Sequence, residues 1–207
     1  MGSGWRRRAL IALLCATAGG QVIEFDSGGL HYKTLTHSGV TIMYAELPAH
    51  VRKWAVLQVS VSNGSQKSCT IAPADFSFQS PQGASVTATE ADDVVSSLLH
   101  HAGRGDVIRL VSAYEAAIYG STRLRTNNGY ESRRRDALAE VSSAKIKAAA
   151  AASALALVQT KLAPGASTDG AVFFENEGKP LGPGTLTVHA AAQTFEFDNN
   201  PPPPKSE

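Results

Sequence analysis

Along the chain, apolar and polar positions change rhythm twice. From Val22 to Val86 the spacing suits strands: "GVTIMYAEL", "KWAVLQVSVSN", "CTIAPADFSFQS" and "SVTAT" are short, rich in Val, Ile, Thr and aromatics, and bounded by Gly, Pro, Asn and Ser. In "WAVLQVSV" the residues Val56, Gln58 and Ser60 fall on one face and Leu57, Val59 and Val61 on the other, which predicts a strand with one wall on a core. After Lys161 the same texture returns in "GAVFFENEG", "GTLTVHAAA" and "QTFEFD", separated by turns such as "KPLGPG". The count comes to about seven strands.

Between these flanks, from Ala91 to Val158, Ala, Leu, Glu, Arg and Lys replace the β-branched runs. "DDVVSSLLHH" reads as a short helix. "GDVIRLVSAYEAAIYG" reads as a second, with Asp106 as N-cap, apolar Val107, Leu110, Val111, Tyr114 and Ile118 at helical spacing, and Gly120 as the stop. "YESRRRDALAEVSSAKIKAAAAASALALV" has no Gly or Pro, and as one helix would run roughly 40 Å. Its alanine-rich half, Ala148 to Ala156, is suited to close packing on another helix, with a return into the sheet as the alternative.

The ends add a compartment. "MGSGWRRRALIALLCATAGGQ" has three arginines, an apolar run from Ala9 to about Ala18, and then small residues, the order of a secretory signal peptide. That run is too short to span a bilayer, which takes roughly 20 residues. Ala16-Thr17-Ala18 places the cut after Ala18, with Gly20 as the alternative. Lipidation of Cys15 is disfavoured, because Ala12 and Leu14 stand where a large aliphatic and a small residue are expected. The expected location is therefore secreted or periplasmic.

The mature chain would keep 16 of the 19 Lys and Arg against all 18 Asp and Glu, a formal charge of −2 that gives no sign of nucleic-acid binding. Only Cys69 remains of the two cysteines; lying in "SCTI", inside an apparent strand, it is expected to be buried.

The strand phrases "LQVSVSN", "APADFSFQSPQG", "LAPGASTDGAVFF" and "TFEFD" together resemble a bacterial family of extracellular immunoglobulin-like β-sandwiches, which includes a secreted mycobacterial immunoprotective antigen and many lipoproteins. The resemblance covers residues 38–90 and 160–198 and leaves the helical section unmatched. It implies a sandwich of about seven strands and carries over no catalytic residues or cofactor. It also makes "KLAPGASTDGAVFFENEG" the approach to a central strand, with a turn at Pro164-Gly165, Gly170 permitting tight entry into the strand, and Val172 with Phe174 or Phe173 alternating into the core. The expected organisation is a signal peptide over 1–18, a sandwich over 19–90 and 160–198, a helical insertion over 91–159 and a proline-rich tail over 199–207.

Candidate chemistry is sparse. There is no G-x-S-x-G elbow, and no Walker or dinucleotide glycine pattern. The carboxylate pairs Asp92-Asp93 and Glu175-x-Glu177 fit helix-start or solvated settings, so the chain reads as a non-enzyme without cofactor. Two binding readings stand. In the first, "RLRTNNGYESRRR" brings Arg123 and Arg125 towards Arg133, Arg134 and Arg135 across an Asn-Asn-Gly turn, forming a basic tip for an anionic envelope polymer or an acidic protein. In the second, histidines bind copper or zinc: His31 and His37 flank "YKTLT", read as a turn that could draw them together, while the adjacent His100 and His101 would point about 100° apart on a helix.

Overall fold

The computed structural model describes residues 20–48, 51–101, 111 and 144–200. Eleven strands and two α-helices lie among them. In chain order these are β1 (Ile23–Ser27), β2 (Leu30–His37), β3 (Val40–Glu46), β4 (Trp54–Asn63), β5 (Cys69–Ile71), a 3₁₀ turn at Pro73–Asp75, β6 (Phe76–Gln79), β7 (Ser85–Thr87), α1 (Ala91–His101), α2 (Ala144–Leu155), β8 (Thr160–Leu162), β9 (Ser167–Glu175), β10 (Thr185–Ala190) and β11 (Gln193–Asp198). A five-stranded antiparallel sheet runs β1-β2-β3-β4-β9, a four-stranded one runs β11-β10-β6-β7, and β5 pairs with β8.

Three ladders join chain before the helices to chain after them: β4 with β9, β6 with β10 and β5 with β8. Leu35, Val40, Ile42, Leu57, Val59, Val61, Val172 and Phe174 of the larger sheet then meet Phe76, Phe78, Leu186, Val188, Phe195 and Phe197 of the smaller one. The structure is thus mainly β, two sheets closed over one apolar interior. Cys69 is buried in it with a free thiol.

A second core lies on the other side of the five-stranded sheet. Trp54, Val56, Ala45, Tyr32, Ala171 and Phe173 form it together with Val94 and Leu98 of α1 and Ala148, Ala151, Ala152 and Leu155 of α2. The alternation expected along β4 holds, but the single buried wall does not. Trp54 through Val59 are all buried, because the helical pair covers the face that Ser60 and Ser62 leave only half-buried. The small alanine side chains let α2 lie close to α1 and to the sheet. The indole N–H of Trp54 and the side-chain amide N–H of Gln58 are buried in this layer and find no hydrogen-bond partner among the described residues, although the Gln58 carbonyl accepts the Tyr32 hydroxyl at 2.9 Å.

The alanine-rich segment combines both expected behaviours. It is helix to Leu155; Ala156 then bridges Ala171 in parallel, and the Leu157 amide donates to the Ala171 carbonyl at 2.8 Å. The helix expected over residues 105–120 lies outside the described residues apart from Val111, which is helical and packs against the second core. The expected signal peptide likewise lies outside them.

"YKTLT" is not a turn. It is the body of β2, and the turns stand on either side, at Gly28-Gly29 and Ser38-Gly39, where all four residues have positive φ. Such two-residue loops match the twist of paired strands, and glycine adopts them without steric cost.

Candidate functional site

At the end of the interior where the sheets part, an open groove of about 740 Å³ is lined by Glu24, His31, Lys33, Tyr44, Glu46, Gly182, Pro183, Asp198, Asn199 and Asn200. Strand register explains the convergence. Glu24 stands opposite Lys33, Asp26 opposite His31, and Lys33 opposite Tyr44, so the period of two puts these polar groups on one face of β1, β2 and β3. The C-terminal end of β11 then brings Asp198, Asn199 and Asn200 against them.

The charged groups are mutually engaged. His31 Nδ1 lies 2.8 Å from Asp26 Oδ1, and His31 Nε2 lies 3.2 Å from Glu24 Oε2. The Lys33 ammonium is 3.2 Å from Glu24 Oε1 and also donates to the backbone carbonyl of Asp198, which ties the two sheets together. Tyr44 donates its hydroxyl to Asn199 Oδ1 at 2.7 Å and sets its ring edge-on to Phe197. Glu46 Oε1 accepts the Leu181 N–H at 2.8 Å. Asn199, expected to open a tail, is instead fastened to the fold, its amide donating to the Gly184 carbonyl at 2.8 Å.

Protonation follows from these contacts. The Asp26 hydrogen bond, helped by Glu24 and opposed by partial burial, pulls His31 above the ordinary histidine value. Burial works to raise Glu24, but Lys33 and His31 outweigh it and hold that carboxyl below its ordinary value. Burial pushes Glu46 up against the opposing Leu181 N–H, and burial first and neighbouring carboxylates second push Tyr44 up as well. Away from the groove, burial raises Tyr32 to about 12.

The other candidates separate. Arg123, Arg125, Arg133, Arg134 and Arg135 lie outside the described residues. His31 and His37 sit at opposite ends of one strand, which a hairpin between them cannot close; His37 packs against Phe195 with ring centroids 5.0 Å apart. The rings of His100 and His101 are 6.1 Å apart at the end of α1. Among the described residues no group of three or more His, Cys, Asp or Glu side chains is placed to hold a metal ion. Asp92 and Asp93 occupy the first turn of α1, Glu175 pairs with Lys53 at 2.7 Å, and Glu177 pairs with Lys179 at 2.7 Å. No described helix is long and apolar enough to cross a membrane.

One organising residue escaped the sequence reading. Asn63, fully buried, donates its side-chain amide to the carbonyls of Lys67 at 2.8 Å and Leu162 at 3.0 Å, and accepts from the Ser65 hydroxyl at 2.6 Å. Its backbone carbonyl accepts the Gly165 N–H at 2.6 Å. The Pro164-Gly165 turn is therefore pinned from a strand about a hundred positions earlier. The "NGS" that begins on the last residue of β4 was the available signal, since Asn side chains readily satisfy turn backbone.

No protein-family model matches the chain, and no curated protein is significantly similar to it. Among solved structures, the crystal structure of the yjhA protein from Bacillus subtilis is similar over 86% of this chain and 96% of its own, at 9% identity and a TM-score of 0.36. A likeness of that size assigns neither family nor activity.

Proposed function

We propose that this chain is a non-catalytic binding or structural module of the bacterial cell envelope, secreted or periplasmic, built on an immunoglobulin-like sandwich. The observation that carries the binding reading is the groove. Its lining comes from five separate segments, His31 and Lys33 are both paired with Glu24, and Asn199, Asn200 and the Gly182-Pro183 turn line its rim with amide groups suited to a polar ligand. The basic, apolar and small order of the N-terminus supports export, and the order of the strand phrases supports the immunoglobulin-like family. The arginine cluster Arg123, Arg125, Arg133, Arg134 and Arg135 is the second proposed contact, for an anionic envelope polymer or an acidic protein.

One experiment tests both surfaces: amide spectra of the mature chain titrated with solubilised anionic envelope polymer. Binding at the groove moves Lys33, Tyr44, Asn199 and Asn200. Binding at the arginines leaves those four in place and disappears, along with salt-dependent retention on the immobilised polymer, when Arg133, Arg134 and Arg135 are changed to Ser. A titration that moves neither set overturns binding of the anionic polymer at either surface.

A further inference from the structure

We propose that His31 is a proton-operated latch that fastens the edge strand β1 and sets the charge of the groove. Each ring nitrogen faces a carboxylate oxygen, Asp26 Oδ1 at 2.8 Å and Glu24 Oε2 at 3.2 Å. An ionised carboxylate only accepts hydrogen bonds, and a neutral imidazole has one N–H. Both contacts are therefore satisfied together only by the imidazolium. When that proton leaves, one nitrogen becomes an acceptor set against an acceptor, and the longer contact, to Glu24, is the one released.

The position of His31 gives this consequence. β1 is the terminal strand of its sheet, five residues laddered to β2, and Ile23 at its start is exposed. β2 alone ladders to it, and Phe25 stacks on Tyr32 at 5.4 Å, so the side-chain ties add to the ladder and that one stack. Glu24 is the middle of a chain of contacts that runs from Asp26 through His31, Glu24 and Lys33 to the carbonyl of Asp198 on β11. The charged and titratable groups gathered about the ring are Glu24 and Asp26 of β1, Lys33 of β2, Tyr44 and Glu46 of β3 and Asp198 of β11. Loss of the proton leaves the groove one unit more negative and frees Glu24 Oε2. The raised affinity of His31 for its proton agrees with the contacts. The consequence for a ligand rests on the groove reading above, whereas the latch itself is read without one.

The test uses the mature chain alone. Ring-nitrogen spectra across pH report the number of N–H groups on His31, and amide protection factors report the hold on β1. The expected result is two ring N–H groups persisting above the ordinary histidine midpoint. Protection of β1 should fall about two- to fivefold as the second is lost, the size of an exposed ion pair. Asp26→Asn moves the midpoint down, and His31→Gln abolishes the step in β1. A ring with one N–H throughout, or β1 protection that does not change across the His31 titration, overturns the latch whether or not the groove binds a ligand.

Discussion

The backbone of Leu157 crosses directly over Gly170: a Cβ built on that glycine would stand 2.6 Å from Leu157 Cα, while the Leu157 amide donates to the neighbouring Ala171 carbonyl at 2.8 Å. Gly170 therefore does not ease the chain into its strand, since β9 has begun three residues earlier, at Ser167. It makes room for the segment returning from the helices. Because backbone rather than a flexible side chain fills the space, Gly170→Ala should destabilise by about 3 kcal/mol, the upper part of the overpacking range. Equilibrium denaturation checks this, and a loss below about 1 kcal/mol would mean that the crossing is not rigid.

The β10–β11 hairpin turns through Ala191 and Ala192, both at positive φ (51° and 58°). Alanine pays a steric penalty there that Asn-Gly does not. Ala191→Asn with Ala192→Gly should stabilise by about 1 kcal/mol, seen as a higher denaturation midpoint at unchanged slope. No gain would show that the penalty is relieved elsewhere in the turn.

Stability should depend on pH through three groove residues. Glu24 is held below its ordinary value, so its contribution is present above that value and lost as pH falls through the lowered one. Glu46 and His31 are held above theirs, so each contributes fully below the ordinary value, and that contribution fades as pH rises through the raised one. Glu46→Gln, which keeps an acceptor for the Leu181 N–H, should therefore stabilise at pH 8 and do little at pH 4. Thermal melts at the two values decide, and equal effects at both would remove burial of the charge as the cause.

Cys69 is buried between the sheets, where burial also raises its thiol. The native chain should resist a thiol reagent and react only as fast as it opens, with full reaction in denaturant. Rapid stoichiometric labelling of the folded chain would contradict the packing of β5 on β8.

Individual elements explain how much could be read in advance. "GAVFF" was legible as a strand, but its place was not: β9 ends its sheet instead of lying centrally. Its free edge takes bridges from Thr89 at Phe173 and from Ala156 at Ala171, and both faces are covered, so it has the apolar run of a central strand. The hairpin β1–β2 carried legible signals, with "SGGL" and "HSGV" bounding the alternation of "LHYKTLTH". Treating the histidines as possible ligands obscured it. The groove could not have been anticipated, since Glu24, Lys33, Tyr44, Pro183 and Asn199 meet only after the chain has closed.

What the sequence alone determined is what depends on near neighbours: the two-residue rhythm of the strands, the glycine turns, the helical texture of Ala91–His101 and Ala144–Leu155, and the apolar setting of Cys69. Tertiary structure decided that the helices cover a second face of the larger sheet, that β9 stands at its edge, and that His31 belongs to carboxylates and not to His37. Periodicity along the chain states that a side chain has a face. Only the partner that packs there, often more than a hundred positions away, decides whether that face is dry, wet or charged.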